Sequence, residues 1–214
     1  MTKELKNFVG GEFVDTQNGS VSELVNPSTG EVFATAPISG AADLDRAYGV
    51  AAKAFESWKN STPSERQQAL LTIADTFEAH AQELVDIESE NTGKPIPVTM
   101  EEELPPMIDQ IKFFAGAARI LEGKAAGEYM SGFTSMVRRE PIGVIGLVTP
   151  WNYPMMMAVW KFIPAIAAGN TVVLKPSDTT PASTLKMAEL IAQSGALPDG
   201  VFNVVCGDRD TGKE

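Results

Sequence analysis

Asn152, Lys175 and Asp178 are the residues of this chain whose types and spacing could do chemistry. An asparagine side chain can offer its N–H to an oxygen that gains negative charge during a reaction, the task of an oxyanion-hole donor. A lysine and a carboxylate three residues apart suit ribose hydroxyls, and the cation also suits phosphate. Asn152 closes the run Thr149, Pro150, Trp151, Asn152, and Lys175 opens the run Lys175, Pro176, Ser177, Asp178. Each run follows directly on an apolar, β-branched segment: IGVIGLV at 142–148 and TVVLK at 171–175.

Those segments are the elements that must position the polar runs. Residues 142–148 are a continuous apolar run of the kind expected of a parallel strand covered on both faces. Pro154, just after Tyr153, suits the first turn of a helix, where a missing N–H costs nothing. Strand, helix and strand make a βαβ unit. In open α/β sheets the ligand crevice lies beyond the carboxyl ends of the strands, and both polar runs stand at such ends. No GxGxxG fingerprint follows the first strand, so a standard dinucleotide-binding turn is not expected.

Upstream, the first ~35 residues alternate apolar stretches with GG, NG and NPSTG turn signals, which predicts short strands packed on something else. Leu44, Ala47, Ala51, Ala54, Phe55 and Trp58 recur at helical spacing over 41–58. A longer helical pattern runs from Ser64 to about Glu90 with Leu70, Ile73, Phe77, Leu84 and Ile87 as its stripe, stopped by Asn91, Gly93 and Pro95. A third helix is predicted from Pro106 to Leu121. Residues 124–140, interrupted by Gly127 and Gly132 and rich in strand formers, read as an extended excursion.

The chain carries 28 acids against 17 bases, a net charge of −11. The excess is uneven: 22 acids and 12 bases lie in residues 1–140, and 6 and 5 in 141–214. Such a surface disfavours nucleic acid and anionic membrane, both of which need clustered Lys or Arg. One Cys permits no disulfide within the chain, and one His makes a His-based metal site unexpected, so no metal is assigned. With no apolar leader and no ~18-residue apolar run, a reducing cytoplasm is the expected location.

The motifs TPWNYP, AAGNTVVLKPSD and RREPIGVIG closely resemble the aldehyde dehydrogenase superfamily, specifically its betaine-aldehyde and 4-aminobutyraldehyde branch. FVGGEFVD, NPSTGEV, NTGKP and LPDGVFNVVCGD extend that resemblance over essentially the whole chain. It implies an α/β fold, the N-terminal part of the family's architecture. A Rossmann-like parallel sheet with flanking helices would be joined by a β-arm for oligomerisation. The expected division is residues 1–123 as the first part of a cofactor-binding domain, 124–140 as the arm, and 141–214 as the βαβ cofactor segment. Asn152 would donate to the thiohemiacetal oxygen, and Lys175 and Asp178 would hold the adenosine ribose. Thr149, Pro150, Trp151, Pro176, Ser177 and the turn glycine Gly207 would complete the cofactor site. Asp178 stands where many NAD-preferring relatives have Glu, which leaves both NAD and NADP open. The full enzyme is expected to be a homodimer or homotetramer acting on a small aldehyde.

The family oxidises through a covalent thioester and so requires a nucleophilic Cys and a base Glu. Cys206 is the only cysteine, lacks the FxxxGQxC context, and reads as a small buried hydrophobe at a strand end. An ELGGK-type Glu is also lacking. The expectation is an N-terminal portion, somewhat under half of an enzyme, inactive alone and weak in cofactor affinity. The rival reading is a non-catalytic module that binds nucleotide or pairs with other chains.

Tyr153, Met157 and Trp160 fall at i, i+4 and i+7 and share one helix face. Such a stripe is more often core, but the resemblance assigns it to the wall of the aldehyde tunnel, where aromatic faces tolerate a cationic substrate. Asp109, in MIDQIKFFAGAAR, is an ordinary solvated helical charge on its own. The resemblance adds a role in recognising the substrate amine.

Overall fold

A computed structural model describes residues 2–214. The chain runs β1 (Lys3–Glu4), β2 (Asn7–Val9), β3 (Glu12–Val14), β4 (Val21–Val25), β5 (Val32–Pro37), α1 (Ala41–Trp58), α2 (Pro63–Ala79) and α3 (Ala81–Thr92). It continues with the short α4 (Ile96–Val98), a π-helical turn (Thr99–Glu103) and α5 (Leu104–Ala117). The remainder is β6 (Lys124–Met130), β7 (Phe133–Val137), β8 (Val144–Val148), α6 (Pro154–Ala167), β9 (Thr171–Lys175), α7 (Ala182–Ser194) and β10 (Phe202–Val204).

The predicted βαβ unit is present. β8 and β9 pair in parallel from Val144–Thr171 to Val148–Lys175, and β9 pairs in parallel with β10. The five-stranded sheet has the order β3-β2-β10-β9-β8 and is mixed, because β2 joins β10 antiparallel and carries β3 as a hairpin. The N-terminal strands therefore divide: β2 and β3 extend the main sheet, and β1, β5 and β4 form a separate three-stranded sheet.

β8 is the sheet's edge strand, and this corrects the expectation that both of its faces are covered. Its residues are half-buried or exposed, whereas every residue of β9 is buried. An apolar run reports that a strand is to be covered without saying by which part of the chain.

The single long helix expected over 64–90 is two. The backbone breaks at His80 (φ −108°, ψ 23°), between α2 and α3, where the His80 ring nitrogen lies 2.8 Å from the Thr76 carbonyl. Thr62 and Glu65 start α2 with a reciprocal capping box, Pro63 occupying its first turn. Gly93 ends α3 in the left-handed conformation, and a Cβ there would meet Pro27 Cγ at 2.7 Å.

Helix stripes and central strands share one core. Leu70, Ile73, Phe77 and Leu84 from α2 and α3 join Met107 and Ile111 from α5, Phe162 and Ile166 from α6, and Val172 and Leu174 from β9. The stripe departs from expectation at one position: Ile87 is half-buried, and Glu88 is buried instead. β6 and β7 stand apart as an antiparallel hairpin turned at Gly132, exposed at every position but Gly127.

Candidate active site

β8, β9 and β10 end side by side, so parallel pairing brings the two polar runs together. The Thr149 N–H donates to the Lys175 carbonyl at 3.1 Å, continuing the ladder one residue past β8. Thr149 is buried, and its Oγ1 has no hydrogen-bond partner among the described residues. Pro150, Trp151 and Asn152 follow as an exposed turn. Tyr153 precedes Pro154, the first residue of α6, where proline's fixed φ fits the opening turn. Lys161, two turns along α6, donates from Nζ to the Val148 carbonyl and fastens the helix to the strand end.

Lys175 is 8% exposed, its Nζ donating to the Pro176 carbonyl at 3.0 Å. That single bond leaves two of its three N–H donors available. Burial pulls its pKa below the ordinary lysine value, opposed by Asp178, Cys206 and Asp208. Pro176 is buried, Ser177 half-buried and Asp178 exposed. Asp178 Oδ1 accepts from the Thr179 N–H at 3.1 Å and from Ser177 Oγ at 3.2 Å, which shapes the loop and leaves its other oxygen to solvent.

The chain after β10 packs over the same end. Gly207 is buried because Thr211 lies on it: a Cβ would meet Thr211 Oγ1 at 2.2 Å. Asp208 accepts from the N–H groups of Asp210 and Thr211, chiefly the latter, which hold its carboxyl below the usual range. A Cβ on Gly212 would stand 3.4 Å from Lys175 Cε. Cys206 is buried, and desolvation pushes its thiol up to about 12, the wrong direction for a nucleophile.

Among the expected substrate-facing residues, Tyr153 and Trp160 are 40% and 44% exposed and Met157 is half-buried, so the three form the outward face of α6. The opposite face, Met155, Ala158, Val159, Phe162, Ile163 and Ile166, is core. Asp109 is exposed on α5, one turn before the exposed Phe113. Sequence reasoning missed Glu88 and Lys94. Glu88 lies one turn beyond Leu84, so a carboxylate in register with an apolar stripe was the available signal.

A desolvated cation with spare donors, an orphaned buried hydroxyl and an adjacent exposed carboxylate are a donor and acceptor set suited to a ribose and a phosphate. The fold and these residues can be set beside known proteins. Residues 13–214 match the aldehyde dehydrogenase family. The chain belongs to that family. Over 204 residues it is 40% identical to a long-chain-aldehyde dehydrogenase of an Acinetobacter species, covering 95% of this chain and 40% of the relative. It is also 40% identical over 205 residues to acetaldehyde dehydrogenase 2 of Cupriavidus necator, covering 96% and 40%. A betaine aldehyde dehydrogenase structure from Staphylococcus aureus, in complex with NAD+, superposes with a TM-score of 0.90 at 32% identity. That superposition covers 95% of this chain and 41% of the other. The chain thus spans about 40% of the length of the family members it matches.

Proposed function

We propose that this chain supplies the cofactor side, and the oxyanion donor, of an NAD-dependent aldehyde dehydrogenase. The observation that carries this reading is the meeting of the Asn152 turn and the Lys175–Asp178 loop on adjacent parallel strand ends. Lys175 and Asp178 would hold the adenosine ribose, Thr149 Oγ1 would gain the partner it lacks, and Trp151 would flank the cofactor. NAD, when bound, accepts a hydride from the substrate. Asn152 would direct its side-chain N–H at the aldehyde oxygen as that oxygen gains negative charge, at both tetrahedral stages. The reaction also needs a thiolate nucleophile and a base. Cys206 is not that thiol, so residues 1–214 alone are expected not to turn over.

We further propose a small amino-aldehyde such as 4-aminobutyraldehyde as substrate. Relatives equally identical to this chain are named for acetaldehyde and for long-chain aldehydes, so overall similarity does not select the aldehyde. The support is local. Tyr153, Met157 and Trp160 offer an aromatic and thioether face that suits an ammonium group, with the Asp109 carboxylate available to it. The proposed division is 1–123 and 141–214 around the cofactor, and 124–140 as an arm joining copies of the enzyme.

Calorimetric titration of the chain with NAD tests the first part. Lys175→Met should weaken binding about tenfold or more, and equal affinity would remove Lys175 from the site. In the active enzyme, Asp109→Ala should raise KM for amino-aldehydes and leave that for neutral aldehydes little changed. Equal effects on both would remove the substrate assignment.

A further inference from the structure

The segment from Glu88 to Lys94 includes the start of the NTGKP motif and contacts both strand-end loops, although it belongs to neither. Glu88, on α3, is 0% exposed. One carboxylate oxygen accepts from Ser183 Oγ and the other, at 3.5 Å, from the Met155 N–H. Met155 lies in the first turn of α6, three residues after Asn152, and Ser183 in the first turn of α7, five residues after Asp178. Asn91, nearly one turn further along, repeats the tie: its Nδ2 donates to the Thr179 carbonyl at 2.9 Å and its Oδ1 accepts from the Ala182 N–H at 3.1 Å. Lys94 completes the group, with Nζ 2.6 Å from Glu103 and 4.0 Å from the Tyr153 ring centroid.

We propose that Glu88, supported by Lys94, is a positioning residue whose carboxylate holds the first turns of α6 and α7 together. It thereby sets where Asn152 stands relative to the Lys175–Asp178 loop. This role rests on reading those two loops as one cofactor and substrate site.

The ionised carboxyl is acceptor-only and can receive both the Met155 N–H and the Ser183 hydroxyl. The protonated carboxyl carries one O–H donor: it can still accept the Met155 N–H, but its bond with Ser183 reverses, the carboxyl O–H donating to Ser183 Oγ, and both bonds lose their charge assistance. The charges facing Glu88 are the Lys94 ammonium and the Glu103 carboxylate beyond it, while α6 and α7 present only N–H and O–H donors. Burial outweighs the Ser183, Lys94 and Met155 contributions and holds the Glu88 pKa at about 7, so the tie changes state near neutrality.

The test uses the chain in a His80→Gln background, which contains no histidine. Intrinsic emission reports on all three tryptophans, of which Trp151 and Trp160 flank the first turn of α6 and Trp58 lies buried in the core. It should change with a midpoint near 7, and Glu88→Gln should abolish the change. Lys94→Met, which leaves Glu88 in place, should move the midpoint upward and keeps the proposal open to refutation if the Gln variant does not fold. Calorimetry with NAD should show affinity tightening about threefold or more between about pH 6 and about pH 8, and no pH dependence in Glu88→Gln. Indistinguishable emission curves for parent and Glu88→Gln, or an unmoved midpoint in Lys94→Met, would overturn the proposal. Failure of NAD to bind at either pH would instead strike the cofactor reading, with the emission titration still deciding the role of Glu88.

Discussion

A carboxylate removed from water is among the costliest groups a protein can bury unless donors are aimed at it. Glu88 has two such donors and a lysine beyond them, and desolvation still prevails. The consequence for stability has a definite sign. Its folded pKa of about 7 exceeds the ordinary glutamate value of 4.5, so between those limits the native state binds more protons than the unfolded chain. Its contribution is complete below pH 4.5 and is lost as pH rises through 7. The loss should reach on the order of 3 kcal/mol by about pH 8. Urea unfolding across that range measures it, and Glu88→Gln should flatten the profile. A parent profile already flat would mean that the carboxyl titrates near its ordinary value.

Element by element, legibility followed the range of the forces involved. The 41–58 helix was readable because its stripe and ends are local, and so were β9 and the proline-started α6. The break at His80 was not, since no Gly or Pro marks it and the tertiary packing of α2 and α3 decides the angle between them. β8 was recognisable as a strand, but its edge position depends on strand order, which a local apolar run does not encode. The site divides likewise. Residues at strand ends follow from the βαβ pattern, whereas Glu88 and Lys94 reach the site only through the packing of α3 on α6 and α7. The stop at Gly93 was legible and has a measurable basis, because the left-handed backbone and the Pro27 contact both exclude a side chain. Gly93→Ala should cost about 1–2 kcal/mol, read as a lower urea midpoint at unchanged slope. No loss would mean that the loop carrying Pro27 moves aside freely.

At the scale of the whole molecule, two of the regions where apolar side chains lie outside the core are the hairpin and the edge of the main sheet. Tyr129, Met130, Phe133 and Met136 project from the β6–β7 hairpin, and Ile142, Val148 and Trp151 line the edge and end of β8. A two-stranded hairpin is marginally stable alone in water, so an arm of this kind gains order when another strand or surface covers it. Patches of this sort promote association. Among the described residues no helix is long and apolar enough to cross a membrane. The exposed apolar side chains of the hairpin are what the proposed arm would offer to a second copy of the chain. The two regions can be separated by experiment. Replacing Met130, Phe133 and Met136 together by Ser alters only exposed positions and leaves the core untouched. If the arm mediates contact, sedimentation velocity should show the parent chain associating as its concentration rises and the triple variant remaining monomeric, with equal thermal midpoints for the two at low concentration. Association that persists unchanged in the variant would remove the hairpin from the contact, and Ile142→Lys would then test the edge of β8.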